Sequence, residues 1–191
     1  MKLTALQRHV AFFDPEGTGV VKIGQTWRGL GRLGVALHLR LVLTPIINVF
    51  LGYLTQGKPS LSIHVETIAE GKHPFDTGAF GDDGEIDVAA LDALGAIATK
   101  DGGKAITARE MRALILARGN RRAHMGRVAG ALGSWFSDKE VKLFFCIAAD
   151  ATKQEDGREV PAVTMRQLRR LYEGTLFHAL ARRRRMKLRA T

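Results

Sequence analysis

Residues 6–25 read Leu-Gln-Arg-His-Val-Ala-Phe-Phe-Asp-Pro-Glu-Gly-Thr-Gly-Val-Val-Lys-Ile-Gly-Gln. The opening is helical in spacing: His9, Phe12 and Phe13 are related by i+3 and i+4 and share one face. Asp14 then begins a stretch laid out like an EF-hand calcium loop, with Gly19 at the sixth position, where the chain must turn sharply, and Val21 at the eighth. The ligand positions hold Asp14, Glu16, Thr18, Val20 through its carbonyl, and Gln25. Lys22 stands near the ion's place, and an amide replaces the bidentate glutamate that closes such loops. The loop geometry is kept while its calcium chemistry is weakened. Asp14, Glu16, Thr18, Val20 and Gln25 either hold calcium weakly or only cap the helix that follows.

Working outward, Thr26 begins a second helix, and residues 33–54 form the longest apolar run, interrupted by His38, Arg40, Pro45 and Asn48. A spanning helix wants about 20 apolar residues with few charges. This run is expected instead to form a kinked helical hairpin, buried or lying in a membrane interface. Three later loops repeat one pattern: Ile86–Asp87, Ile106–Thr107 and Val163–Thr164 each put a capping residue after a β-branched one, downstream of an Asp/Gly turn. Thr107/Glu110 and Thr164/Gln167 have capping-box spacing. Decayed EF-hand units would leave this pattern, and so would ordinary helix starts. Residues 108–118 and 165–180 read as basic amphipathic helices. The expected fold is mostly α, built from EF-hand-like helix–loop–helix units around one core with short β pairings. It spans residues 1–180: a unit at 4–32, the apolar segment 33–54, a helical core at 60–180, then a disordered basic tail at 181–191.

A net charge of +10 is concentrated at the end, where six Arg and Lys within residues 182–191 leave +4 for everything before them. Such a block is a solvated tail or a contact for an anionic lipid surface. With 7% aromatics and no stacking motif, nucleic acid is the weaker alternative. The single cysteine, Cys146, excludes an intrachain disulfide and fits a reducing compartment. Its apolar surroundings predict a buried thiol. No signal-peptide pattern opens the chain, so an intracellular location is expected, cytoplasmic or peripheral on a lipid surface.

Four segments together resemble the caleosins, the oil-body peroxygenases of plants and fungi. Residues 6–14, Leu-Gln-Arg-His-Val-Ala-Phe-Phe-Asp, are similar to the family's opening signature. Residues 68–78, Ile-Ala-Glu-Gly-Lys-His-Pro-Phe-Asp-Thr-Gly, are similar to the segment after its apolar region. Gly119-Asn120-Arg121 and Tyr172-Glu173-Gly174-Thr175-Leu176-Phe177 resemble its later blocks, so the likeness covers about residues 4–180.

The resemblance implies a haem-dependent peroxygenase. It would use fatty-acid hydroperoxides to epoxidise or hydroxylate unsaturated lipids, at a membrane or lipid-droplet surface. It implies haem b held by His9 and His73, the catalytic histidines, with Phe12 and Phe13 in the pocket, and calcium at the 14–25 loop. His38, His64, His124 and His178 keep the ordinary reading of boundary or core histidines. Asp82, Asp83 and Asp87 form either a second cation site or a solvated acidic turn. A non-catalytic caleosin-like protein binding calcium and lipid surfaces is the alternative.

Overall fold

A computed structural model describes residues 2–72, 77–99, 104–119 and 127–190. They are mostly helical, with two small antiparallel sheets. The contacts divide the chain into two compact units.

The first unit comprises residues 1–72, 82–85 and 170–191. Helix α1 (Ala5–Ala11) leads through the 12–19 loop into β1 (Val20–Val21) and α2 (Ile23–Leu33). Gly34, at φ +91°, ends α2, and after a short turn α3 (Leu37–Gln56) begins. The hairpin expected within 33–54 does not form. The turn falls at Gly34, and α3 runs as one helix through Pro45. Strand β2 (Ile63–His64) pairs antiparallel with β1, setting Val21 opposite Ile63, both nearly inaccessible.

The second unit comprises residues 73–81 and 86–169. It contains α4 (Val88–Thr99), β3 (Ala105–Thr107), α5 (Ala108–Gly119), α6 (Arg127–Ala148), β4 (Ala151–Glu155) and β5 (Arg158–Thr164). The strands pair in the order β3-β5-β4, with Ile106 opposite Val163 and both fully buried. The Thr107/Glu110 capping box forms with both bonds. At Thr164/Gln167 only one half forms: the Thr164 hydroxyl accepts from the Gln167 amide, while the Thr164 amide donates to Asp150 instead. Cys146 is exposed rather than buried. Its neighbours Phe145 and Ala148 take the core side of α6, and one residue's turn carries Cys146 outward.

The run 165–180 is not one helix. It breaks at Gly174 into α7 (Met165–Tyr172) and α8 (Leu176–Ala190). The basic run, expected as a disordered tail, continues α8 as helix to Ala190. Arg, Met, Lys and Leu are good helix formers, which outweighs the repulsion between their charges.

Candidate functional site

Helix α1 is held from several directions. The Thr4 hydroxyl accepts from the Gln7 amide at 3.2 Å, and the Thr4 amide donates to Gln7 Oε1 at 3.0 Å, completing a capping box. Glu85 Oε2 and the Gly84 carbonyl accept from the amides of Ala5 and Leu6 at 3.2 and 2.9 Å. They satisfy donors that a helix start leaves open. The acidic turn at 82–85 thus also complements the positive end of α1.

The glycine break places the most informative contact. Gly174, at φ +79°, donates its N–H to the Leu171 carbonyl at 3.1 Å, while Thr175 N–H reaches the Arg170 carbonyl at 2.9 Å. This pair of bonds is a Schellman ending of α7. A Cβ on Gly174 would lie 2.7 Å from the main chain of Arg8 and His9, so only glycine lets the turn rest on α1. The Leu171 carbonyl also stands 3.3 Å from His9 Nδ1. A carbonyl only accepts, so Nδ1 carries the proton and the ring's lone pair is on Nε2.

The His9 ring packs on Phe177 with centroids 4.6 Å apart. Burial pushes its pKa down to about 4 from 6.5, while the Leu171 bond acts the other way. The imidazole is therefore neutral at physiological pH, the form that can donate a lone pair to a metal. Around it, Phe12 meets Phe13, Phe177 and His178 edge-on, with centroids 5.1, 5.5 and 5.2 Å away. The Arg32 guanidinium lies 4.4 Å from the Phe12 ring centre. Phe13 lies against Gly29 of α2, where a Cβ would overlap its ring. His178 is also held below its usual pKa, by burial and by Arg32.

The 14–25 loop satisfies itself. Asp14 Oδ1 accepts from the Thr18 hydroxyl at 3.0 Å and from Gln25 Nε2 at 3.4 Å, and Oδ2 accepts from the Gly19 amide at 2.7 Å. Gln25 Oε1 turns back to cap the Lys22 amide at 2.7 Å. Glu16, Thr18, Val20 and Gln25 line a depression of about 540 Å³ that Lys22 and Arg28 also border.

Elsewhere, Asp82 pairs with Lys72 at 2.9 Å, Asp83 accepts from the Glu85 amide, and Asp87 caps α4 through Ala90 N–H. No cluster of three or more His, Cys, Asp or Glu is gathered for a metal among the described residues. His73, His124 and Asn120-Arg121 lie outside the described residues. His38 is exposed, and His64 pairs with Val20 in the small sheet.

The structure therefore brings His9, Phe12 and Phe13 together. It adds Phe177, His178 and the Leu171 carbonyl, which the sequence reading did not place at the site. The available signal was Gly174 itself, an isolated glycine inside an otherwise helical pattern.

The caleosin-related protein family model matches residues 1–181. The chain is 26% identical to a peroxygenase of Lilium longiflorum over 182 residues, 93% of this chain and 70% of that protein. It is 26% identical to the probable peroxygenase 4 of Arabidopsis thaliana over 186 residues, 95% of this chain and 88% of that protein. No solved structure matches.

Proposed function

The chain belongs to the caleosin family, and from that premise we propose that it is a haem-dependent peroxygenase taking oxygen from fatty-acid hydroperoxides to unsaturated lipids. The observation that carries the reading is His9: a neutral imidazole, its proton on Nδ1 against Leu171, beside aromatic rings. This donor fits haem, whose iron takes a nitrogen axial ligand and whose macrocycle wants an apolar lining. Haem, when bound, supplies the chemistry that breaks the hydroperoxide O–O bond and delivers the oxygen.

The chain's own groups then have definite tasks. His9 Nε2 would ligate iron, and the Leu171 carbonyl fixes the tautomer and makes the imidazole a stronger donor. Phe12, Phe13 and Phe177 would exclude water from that face. His73 is retained as the second histidine on the strength of the family resemblance. Purified protein supplied with haem should show a Soret band that is lost or shifted in His9→Ala; protein that stays colourless would sink the reading.

The 4–32 segment we read as an EF-hand unit whose calcium function has lapsed. The self-satisfied Asp14 carboxylate and the neutral Gln25 support this. A second reading, a non-catalytic lipid-surface protein, is favoured by the outward apolar side of α3, on which Leu37, Leu41 and Val42 are exposed.

A further inference from the structure

The proposed reaction gives no task to the inner face of α3. Arg40 is the single Arg, Lys, Asp or Glu in the apolar run 33–54, and it turns toward α2. Its guanidinium carbon stacks 4.0 Å from the centre of the Trp27 ring. Gly31, one turn further along α2, leaves the room for it: a Cβ there would stand 2.9 Å from that carbon. Stacking uses the flat face of a guanidinium and leaves its N–H donors, which lie in its plane, unspent. No carboxylate takes them among the described residues, and Nε is closed off from solvent without an acceptor.

Thr44, one turn on along the same face of α3, is 3% exposed and its hydroxyl has no partner. A buried threonine within a helix ordinarily donates to the carbonyl four residues back, as Thr55 of α3 does to Leu51 at 2.8 Å. Thr44 makes no such bond to Arg40. A cation and a hydroxyl with unspent donors on one face suit a pair of anionic oxygens, and leaving such donors unmet costs free energy. Asn48, the next residue in the row, sets the limit. Its amide donates to the Leu61 carbonyl at 2.8 Å, and its Oδ1, buried and unpartnered, is an acceptor that repels anionic oxygen.

We infer that Arg40 and Thr44 form a subsite for the carboxylate of a free fatty acid, with the guanidinium fork on its two oxygens and the Thr44 hydroxyl as a further donor. The choice of an acyl carboxylate over other anions rests on the peroxygenase reading. Helix α2 connects the two places: its Gly29 receives Phe13, while Trp27 and Gly31 on its other side receive Arg40. One helix diameter, on the order of 10 Å, separates them, and an acyl chain bridges that span. The subsite selects a free acid over an ester-linked acyl chain, because an ester offers the guanidinium no charge.

The test is calorimetric binding of decanoate, decanol and inorganic phosphate to the full chain at neutral pH, without added haem. Decanoate should bind at least about tenfold more tightly than decanol, the worth of a charge-assisted pair. Arg40→Gln should lose that preference while keeping its binding to decanol. Thr44→Val, which keeps the side-chain shape, should weaken decanoate roughly three- to tenfold and leave decanol unchanged. It carries the test alone if Arg40→Gln does not fold. Equal binding of acid and alcohol would overturn the proposal, as would no binding of decanoate or parent-like decanoate affinity in a folded variant. So would tighter binding of phosphate than of decanoate. The readout needs no iron, so the two failures are distinguishable. Protein that stays colourless with haem but prefers decanoate ends the peroxygenase reading alone, and protein with a Soret band but no such preference ends this one.

Discussion

His9 Nδ1 donates to the main-chain carbonyl of Leu171 across 3.3 Å, joining positions 162 residues apart in the chain. That contact sits in a site whose burial keeps His9 neutral, and this has a consequence for stability. As pH falls below 6.5 the unfolded chain takes up a proton at His9, whereas the folded protein does so only near pH 4. Stability present at neutral pH is therefore lost as pH falls through that window, by up to about 3 kcal/mol from this residue. His178, also held low, adds loss in the same direction. Denaturant midpoints measured from pH 7 to 4 should fall, and His9→Phe should fall less steeply. An unchanged slope in His9→Phe would show that His9 is not the group responsible.

Gly174→Ala should be among the most damaging small substitutions in the first unit. It forces alanine to φ +79° and drives a methyl to 2.7 Å from the His9 amide nitrogen. The backbone strain alone costs about 1–2 kcal/mol, and the clash adds to it. A lowered thermal midpoint is the first expected result. The second distinguishes positioning from bulk stability: the folded variant at low temperature, loaded with haem, should show the Soret perturbation of His9→Ala. A normal band would mean that the glycine supports the fold without setting the histidine.

Calcium titration should be nearly silent for the natural sequence at millimolar calcium. Asp14 already takes three donors, and the amide of Gln25 sits on its carboxylate. Gln25→Glu removes that donor and returns the bidentate carboxylate that such loops use in their last position. Calorimetry should then find calcium binding at least about tenfold tighter, since ligand charge tunes affinity over decades. Micromolar binding by the natural sequence would contradict this account.

What could be read in advance was local. The i+3 and i+4 spacing of His9, Phe12 and Phe13 put them on one side of the chain, and although α1 ends at Ala11 they do share a cluster around Phe177. The β-branched residues flagged before helix caps pair across strands, Ile106 with Val163, because each is the last apolar residue before its helix. The break at Gly174 was hidden because Leu168, Leu171, Tyr172 and Leu176 keep a helical period across it. No side-chain pattern reports a main-chain carbonyl, so Leu171 could not be found as the partner of His9. The polarity of α3 was illegible for another reason. Apolar composition in a helix reads as burial, and only the packing shows that Thr44, Asn48 and Gly52 face inward while Leu37, Leu41 and Val49 face out.

That inversion makes a sharp contrast between two conservative changes on α3. Gly52→Ala adds one methyl, yet it meets the Ser60 carbonyl, a backbone atom that cannot swing aside. Overpacking of this kind costs about 1–3 kcal/mol. Val49→Ser removes apolar surface, but Val49 is 54% exposed and supports nothing in the packed interior. It should change stability in water by less than about 0.5 kcal/mol. Urea denaturation of the two variants measures both. An ordinary amphipathic helix would give the reverse order, with the valine costly and the glycine tolerant. If Val49→Ser proved the more damaging change, α3 would be turned the other way in solution, with its apolar ridge against the protein.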